Sequence, residues 1–237
     1  MLEIMNTEIC GVEAAVMASG YPMRIEPITE NEKNDTNILH NERNIKRAVK
    51  LGNVPTGSGH DIYLKGIVVQ FDVKYSQYWS MQFQRYHFAD IVSSQSKLHR
   101  ITKMDISASC NKYVEPEAIA LVEKWIKIYN EMENDSRVSL DLYDSSKKAG
   151  YCIFKELEIG DDFAKGLKWF NKYEVFMKII SNTPMGFEMT MRVVTNYLQL
   201  KTIYAQRKND KLKEDWGNFC NWCEKLPYFK EFCLKNL

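Results

Sequence analysis

Residues 67–75 set Ile67, Val69, Phe71, Val73 and Tyr75 in alternation with Val68, Gln70, Asp72 and Lys74. A side-chain period of two sends the first set to a core and most of the second toward water, so the segment reads as a strand of an antiparallel sheet with one wet face. Helical patterns surround it. Residues 8–19 read as a helix stopped by Gly20, and 36–51 as an amphipathic helix stopped by Gly52. Residues 116–132 carry Ile119, Val122, Trp125, Ile126 and Tyr129 on one stripe behind Pro116, and 163–180 repeat the spacing with Phe163, Leu167, Phe170, Phe176 and Ile180. A helix near 195–207, a charged loop at 208–215 and an aromatic-rich last helix complete the pattern. Helices gathered around one antiparallel sheet make an α+β fold. The chain, 1–237, reads as a single domain without repeats, with a variable surface excursion or hairpin around 133–160.

With 237 residues, 45% of them hydrophobic, the chain can bury a full core. Lys and Arg total 32 against 31 for Asp and Glu, a net charge of +1, so no global field holds a nucleic-acid backbone and any anion must be bound locally. No apolar run has membrane-spanning length and the N-terminus lacks a secretory pattern, so a cytoplasmic protein is expected. The six cysteines are too sparse for a disulfide framework. Cys220-Asn-Trp-Cys223, crowded by Phe219, Trp222, Phe229 and Phe232, reads as packed core thiols, since a structural zinc needs four ligands and only Cys233 is added nearby.

Residues 82–100 hold two arginines, two histidines and three serines in nineteen positions, directly after the strand. Such density points to an anion. Gln82 and Arg85 share a face if 78–86 is helical, where an amide can hold a pyrimidine edge and a guanidinium a phosphate; the bland alternative is a solvated helix face. Ser93, Ser94 and Ser96 add hydroxyls, and His99-Arg100 further donors. Ser58-Gly59-His60 precedes the strand as a turn that either aims an imidazole or leaves it on the surface. Asn196 and Arg207 stand eleven apart, about 16 Å along one helix face at roughly 1.5 Å per residue. Walker, Gly-x-Gly-x-x-Gly and His-Glu-x-x-His signatures are absent.

In this order the residues resemble the flavin-dependent thymidylate synthases, α+β proteins that assemble as homotetramers. Ser58-Gly59-His60-Asp61, running on to Gly66 and the strand, is similar to that family's Gly-His-x-Ser-x-x-Glu-His segment, with His60 on its first histidine and its serine and second histidine unmatched. Gln82 and Arg85 fall on the first Gln and Arg of Gln-x-x-Arg-His-Arg-x-x-Ser-x-Asn-Glu-x-Ser-x-Arg-Tyr, and Ser96 on its central serine with one residue inserted. The His-Arg that follows is here Tyr86-His87, the Glu is Ser94, and the last Arg is Leu98 with Arg100 two residues late. Val194-Thr195-Asn196 with Arg207 is similar to the family's Thr-x-Asn helix, and Arg192 stands for an arginine lent to a neighbouring subunit.

The resemblance implies that Gln82, Arg85, Ser96, Arg192 and Arg207 contact a pyrimidine nucleotide monophosphate, dUMP. His60, Arg85, Tyr86, His87 and Asn196 would face FAD, and Ser96 and Arg207 would carry the catalytic contacts. NADPH and methylenetetrahydrofolate are the implied co-substrates, with activation by positioned positive charge rather than by a cysteine nucleophile. Loss of the His-Arg pair degrades the flavin-facing half. Two alternatives remain open: a non-catalytic relative that binds or sequesters a nucleotide or acts through protein contacts, and an unrelated α+β protein with a structural or nucleic-acid-binding surface.

Overall fold

A computed structural model describes residues 1–29, 38–55 and 57–235. The sequence reads as one domain, whereas the chain clusters into two compact units, Met1–Gln95 with Met189–Leu237, and Ser96–Glu188. In chain order the first unit supplies β1 (Glu3–Cys10), α1 (Val12–Ala18), α2 (Glu42–Gly52), β2 (Val68–Ser76), α3 (Gln77–Phe83) and β3 (Asp90–Ser94). The second contains α4 (Lys97–Arg100), α5 (Ile106–Ser109), α6 (Pro116–Glu131), β4 (Ser136–Ser139), β5 (Cys152–Lys155), α7 (Asp161–Ala164), β6 (Trp169–Asn171) and α8 (Lys172–Asn182). The chain then enters β7 (Glu188–Asn196), α9 (Tyr197–Arg207) and α10 (Lys213–Cys223).

The first unit is built on a four-stranded sheet in the order β1-β2-β7-β3, with β1 antiparallel to β2 and β3 antiparallel to β7. The alternation of 67–75 is β2: Val69, Phe71, Val73 and Tyr75 are buried on one face. β1 replaces the start of the helix expected over 8–19. It is an edge strand whose register shifts between Met5 and Glu8, around Asn6 at φ 50°, so its side chains do not alternate and the sequence carries no period-two signal. Gly11, at φ +84°, turns the strand into α1, and a methyl group there would collide with the Gly66 carbonyl oxygen. The second helix begins at Glu42 behind Asn41, whose side chain accepts from the Arg43 and Asn44 amides; residues 36 and 37 lie outside the described residues.

In the second unit α6 packs on α8, and β5-β4-β6 form a small antiparallel sheet. The excursion around 133–160 contains the β4–β5 hairpin, closed by paired bonds between Asp144 and Ala149. The single helix expected over 163–180 is not formed. Gly166 at φ +81° ends the preceding turn, Phe170 lies in β6, and Asn171 with Glu174 makes a reciprocal cap that starts α8. Glycine breaks the pattern and the cap restarts it, so the apparent five-residue stripe joins a strand to a helix. Among the described residues no helix is long and apolar enough to cross a membrane.

What positions the candidate site is an aromatic cluster under α3 and α10. The Trp79 ring stacks on Phe83 at 4.6 Å and meets Trp216 at 5.1 Å, and Phe219 closes the group. All four are fully buried. Truncating rings in such a setting typically costs about 3–5 kcal/mol, so the relative placement of α3 and α10 is strongly specified.

Candidate functional site

Helix α3 ends at Phe83, which places Gln82 in its last turn, half-buried, and Arg85 beyond it. A turn closed by the Tyr86 amide to the Phe83 carbonyl, at 3.1 Å, folds Tyr86 back toward α10. Helix α9 starts from Asn196, whose Oδ1 accepts from the Gln199 amide at 3.0 Å, and ends at Arg207. Its guanidinium meets the α3 turn there. Nε donates to the Tyr86 hydroxyl at 2.7 Å, and Nη1 to Gln82 Oε1 at 3.2 Å and to Asp210 Oδ2 at 2.7 Å. Trp216 Nε1 donates to the same Gln82 oxygen at 2.6 Å, and the guanidinium carbon lies 4.8 Å from the Trp216 ring and 5.7 Å from that of Tyr86.

Two donors converging on one amide oxygen turn the Gln82 NH2 away from the cluster, and it has no partner among the described residues. Arg207 Nη2 likewise has none, and Arg85 is exposed and unpaired among the described residues. Burial lowers the pKa of Arg207, but the bonds to Asp210 and Tyr86 outweigh it and hold it above its ordinary value. The nest is a fixed cation with spare N–H donors.

A pocket of about 320 Å³ lies on the same helix, at the lower end of the roughly 300–1,000 Å³ usual for small-molecule sites. Ile62, Phe88 and Leu198 give it apolar walls, Asn196, Gln199 and Thr202 a polar side, and Gly57 and Gly59 a rim. Both glycines have positive φ, +94° and +81°, and a Cβ on either would meet nothing within 4 Å. Lys65 Nζ sits 5.6 Å from the Phe88 ring centroid. Pocket and nest are linked twice: Leu198, Thr202 and Gln206 recur every fourth residue along α9, and Tyr86, whose hydroxyl donates to Gln206 Oε1 at 3.1 Å, is two residues from Phe88.

No family model matches the chain, and no curated protein matches it by sequence. Solved structures do match. A flavin-dependent thymidylate synthase ThyX from Helicobacter pylori, complexed with FAD and dUMP, superposes with a TM-score of 0.60 at 12% identity over 99% of this chain and 98% of its own. A second structure of ThyX from that organism, with FAD and dUMP, gives the same score and identity over 100% and 98%. The fold is that of the flavin-dependent thymidylate synthases. At 12% identity what is shared is the architecture of helices and antiparallel sheet, in agreement with the sequence resemblance.

Within this thymidylate synthase fold the expected site residues are distributed unevenly. Gln82, Tyr86 and Arg207 come together, and Asn196 lines the pocket on the same helix. Arg85 stands off the end of α3, because the helix stops at Phe83 and the face it was expected to share with Gln82 does not extend that far. His87 is exposed, and so is His60, between the pocket-lining Gly59 and Asp61. Ser96 belongs to the second unit, where it caps α4, its hydroxyl 2.7 Å from His99 Nδ1. Arg192 spans the sheet instead of standing free: it donates to the Asn6 carbonyl at 3.0 Å, Asp72 at 3.4 Å and Glu8 at 2.8 Å, closing the β1 bulge.

Asp210, Trp216, Asp61 and Lys201 belong to no motif that assigns them a site role. Arg207-x-x-Asp210 has the spacing of an ion pair and was the one readable signal. Lys201 offers none: it follows the buried Leu200 on α9, and its ammonium is satisfied only by groups about 140 or more residues away, Asp61 and the carbonyls of Gly52 and Val54.

Proposed function

We propose that this protein binds a pyrimidine nucleoside monophosphate at the Arg207 nest and a flavin ring in the adjoining pocket, and that it methylates dUMP. The observation that carries the reading is the bond between Gln82 and Arg207, residues 125 apart in sequence that the family resemblance assigns to one nucleotide. The Gln82 NH2 suits a uracil carbonyl oxygen, and Arg207 Nη2 with the mobile-stemmed Arg85 suits a phosphate through charge-assisted bonds. The pocket fits a planar ring: its walls are apolar, its polar side can reach ring heteroatoms, and Lys65 adds positive charge at one edge. Bound there, FAD would supply the redox chemistry, drawing on NADPH, with methylenetetrahydrofolate as one-carbon donor. The chain's own part is to hold the base, neutralise charge that develops on its carbonyl oxygen, and exclude water from the pocket. His60, His87 and an Arg192 released from its carboxylates complete the site in this reading, in a cytoplasmic homotetramer; size-exclusion chromatography with light scattering tests the assembly.

A second reading has its own support. Tyr86-His87 stands where the resemblance expects His-Arg, and the Tyr86 hydroxyl is committed to Arg207. That arrangement suits a relative that binds or sequesters the nucleotide without turning it over. The absorption spectrum of the purified protein after addition of FAD, with NADPH oxidation in the presence of dUMP and methylenetetrahydrofolate, separates the two. A bound-flavin band and turnover support the synthase. A colourless protein stabilised thermally by dUMP supports the binder, and neither response removes both.

A further inference from the structure

The Arg207 nest already contains an anion of its own. A guanidinium offers two edges to a bidentate oxyanion partner, Nε with Nη2 and Nη1 with Nη2. Here Nε is taken by Tyr86, and Nη1 by Gln82 and Asp210 Oδ2. The Trp216 and Tyr86 rings lie against the group as well, at 4.8 and 5.7 Å. Only Nη2 remains uncommitted among the described residues, and its two N–H groups face different edges of the guanidinium, so neither edge is free to make the paired, forked contact a phosphate prefers. Of the occupants, Tyr86 and Gln82 are neutral and can share Arg207 with a ligand. Asp210 is not: its carboxylate repels an incoming phosphate.

Asp210 is also held for this position. It sits in the turn between α9 and α10, its amide donates to the Arg207 carbonyl at 3.0 Å, and its Oδ1 accepts from the Leu212 amide at 2.9 Å while Oδ2 takes the arginine. Its side chain is 13% exposed, so the pair is shielded enough for the charge to matter. The turn has the means to release it, because Lys208, Lys211 and Lys213 beside it are all exposed and can neutralise a carboxylate that swings outward.

We propose that Asp210 is the affinity-setting residue of the nest, an intramolecular stand-in for the ligand's phosphate that any phosphorylated ligand must displace from Arg207. The proposal rests on the reading that the nest takes a nucleotide monophosphate. It makes Asp210 a selectivity device: it penalises ligands in proportion to the anionic charge they bring to Arg207 and leaves uncharged nucleosides unaffected.

Calorimetric titration of the full chain with dUMP, deoxyuridine and inorganic phosphate tests it, comparing the natural protein with Asp210→Asn, which keeps the size and the acceptor for the Leu212 amide but puts an uncharged NH2 in place of the oxygen that takes Arg207. Affinity for dUMP and phosphate is expected to rise about tenfold or more, the scale of one lost charge contact. Deoxyuridine affinity should stay constant, and the gain should vanish in Arg207→Ala/Asp210→Asn. Asp210→Ala serves as the second variant if the asparagine protein unfolds, which thermal melts report. Equal dUMP affinity in natural and Asp210-substituted proteins, with Arg207→Ala still weakening it, overturns the role of Asp210 and leaves the nucleotide reading standing. Absence of dUMP and phosphate binding in every variant overturns both.

Discussion

Lys201 Nζ lies 2.8 Å from Asp61 Oδ2 with both side chains no more than 3% exposed. The same ammonium donates to the carbonyls of Gly52 at 2.8 Å and Val54 at 2.7 Å, so all three of its protons are used. This ties Gly52, Val54 and the pocket-lining Asp61 to helix α9, which lines the pocket through Leu198, Gln199 and Thr202 and carries Arg207. The pocket and the nest therefore share one anchor.

Removing one member of such a pair leaves the other charge buried and unpaired, which typically costs about 3–5 kcal/mol, whereas removing both costs far less. Lys201→Met is expected to lower the urea unfolding free energy by that amount, and Lys201→Met/Asp61→Leu to recover a large part of it. A single-variant loss below about 1 kcal/mol, the value of an exposed pair, would show that the ammonium is not buried as described.

Arg207→Ala should weaken dUMP binding by about 1.5–3 kcal/mol, the range for a bond to a charged group. Arg207→Lys should restore little of it, since an ammonium cannot reach Tyr86, Gln82 and a phosphate at once as a planar fork does. Fluorescence of Trp216, which lies against the guanidinium, gives a direct readout. Unchanged affinity in the alanine variant would place the nucleotide elsewhere.

Acid should loosen the α9–α10 region. Burial raises the pKa of Asp210, but the Leu212 amide and Arg207 more than offset it, leaving the carboxyl below its usual range; Lys230 and the Tyr204 hydroxyl hold Glu224 low in the same way. A carboxyl whose pKa is lower folded than unfolded contributes stability fully above its unfolded value, roughly 3.9–4.3, and loses it as pH falls through the folded value. Urea midpoints should therefore hold steady from about pH 7 to pH 5 and fall below about pH 4. Asp210→Asn should shallow that fall, and an unchanged acid slope in this variant would contradict the assignment.

Thiol reactivity should divide the cysteines by depth. Cys10 is exposed, whereas Cys220, Cys223 and Cys233 are buried. Burial pushes Cys220 up to about 11 and Cys223 and Cys233 higher, so at pH 8 these carry almost no thiolate. A disulfide reagent is expected to modify Cys10 rapidly in the native protein and these three only in denaturant. Fast native labelling of Cys223 would mean that the C-terminal packing opens readily to solvent.

Elements whose periodicity is unbroken can be read directly from the chain. β2 was legible because Val69, Phe71, Val73 and Tyr75 alternate without interruption, and α6 because Val122 and Trp125 repeat at helical spacing behind Pro116. Order and interval also marked Gln82, Asn196 and Arg207 as parts of one candidate site. Periodicity failed where a local device interrupts it: the bulge at Asn6 hid β1, and Gly166 with the Asn171 cap turned a continuous-looking stripe into β6 and α8. Folding in three dimensions is what binds Arg207 to Tyr86 and Asp210, commits Arg192 to the sheet, sets Arg85 apart and makes Lys201 the anchor of the pocket. The physical reason is range. Helix and strand patterns are written in neighbours a few residues apart, whereas a guanidinium or ammonium finds its partners through space, after burial has brought together segments more than a hundred residues distant and left each charge to be satisfied by whatever lies within about 3 Å.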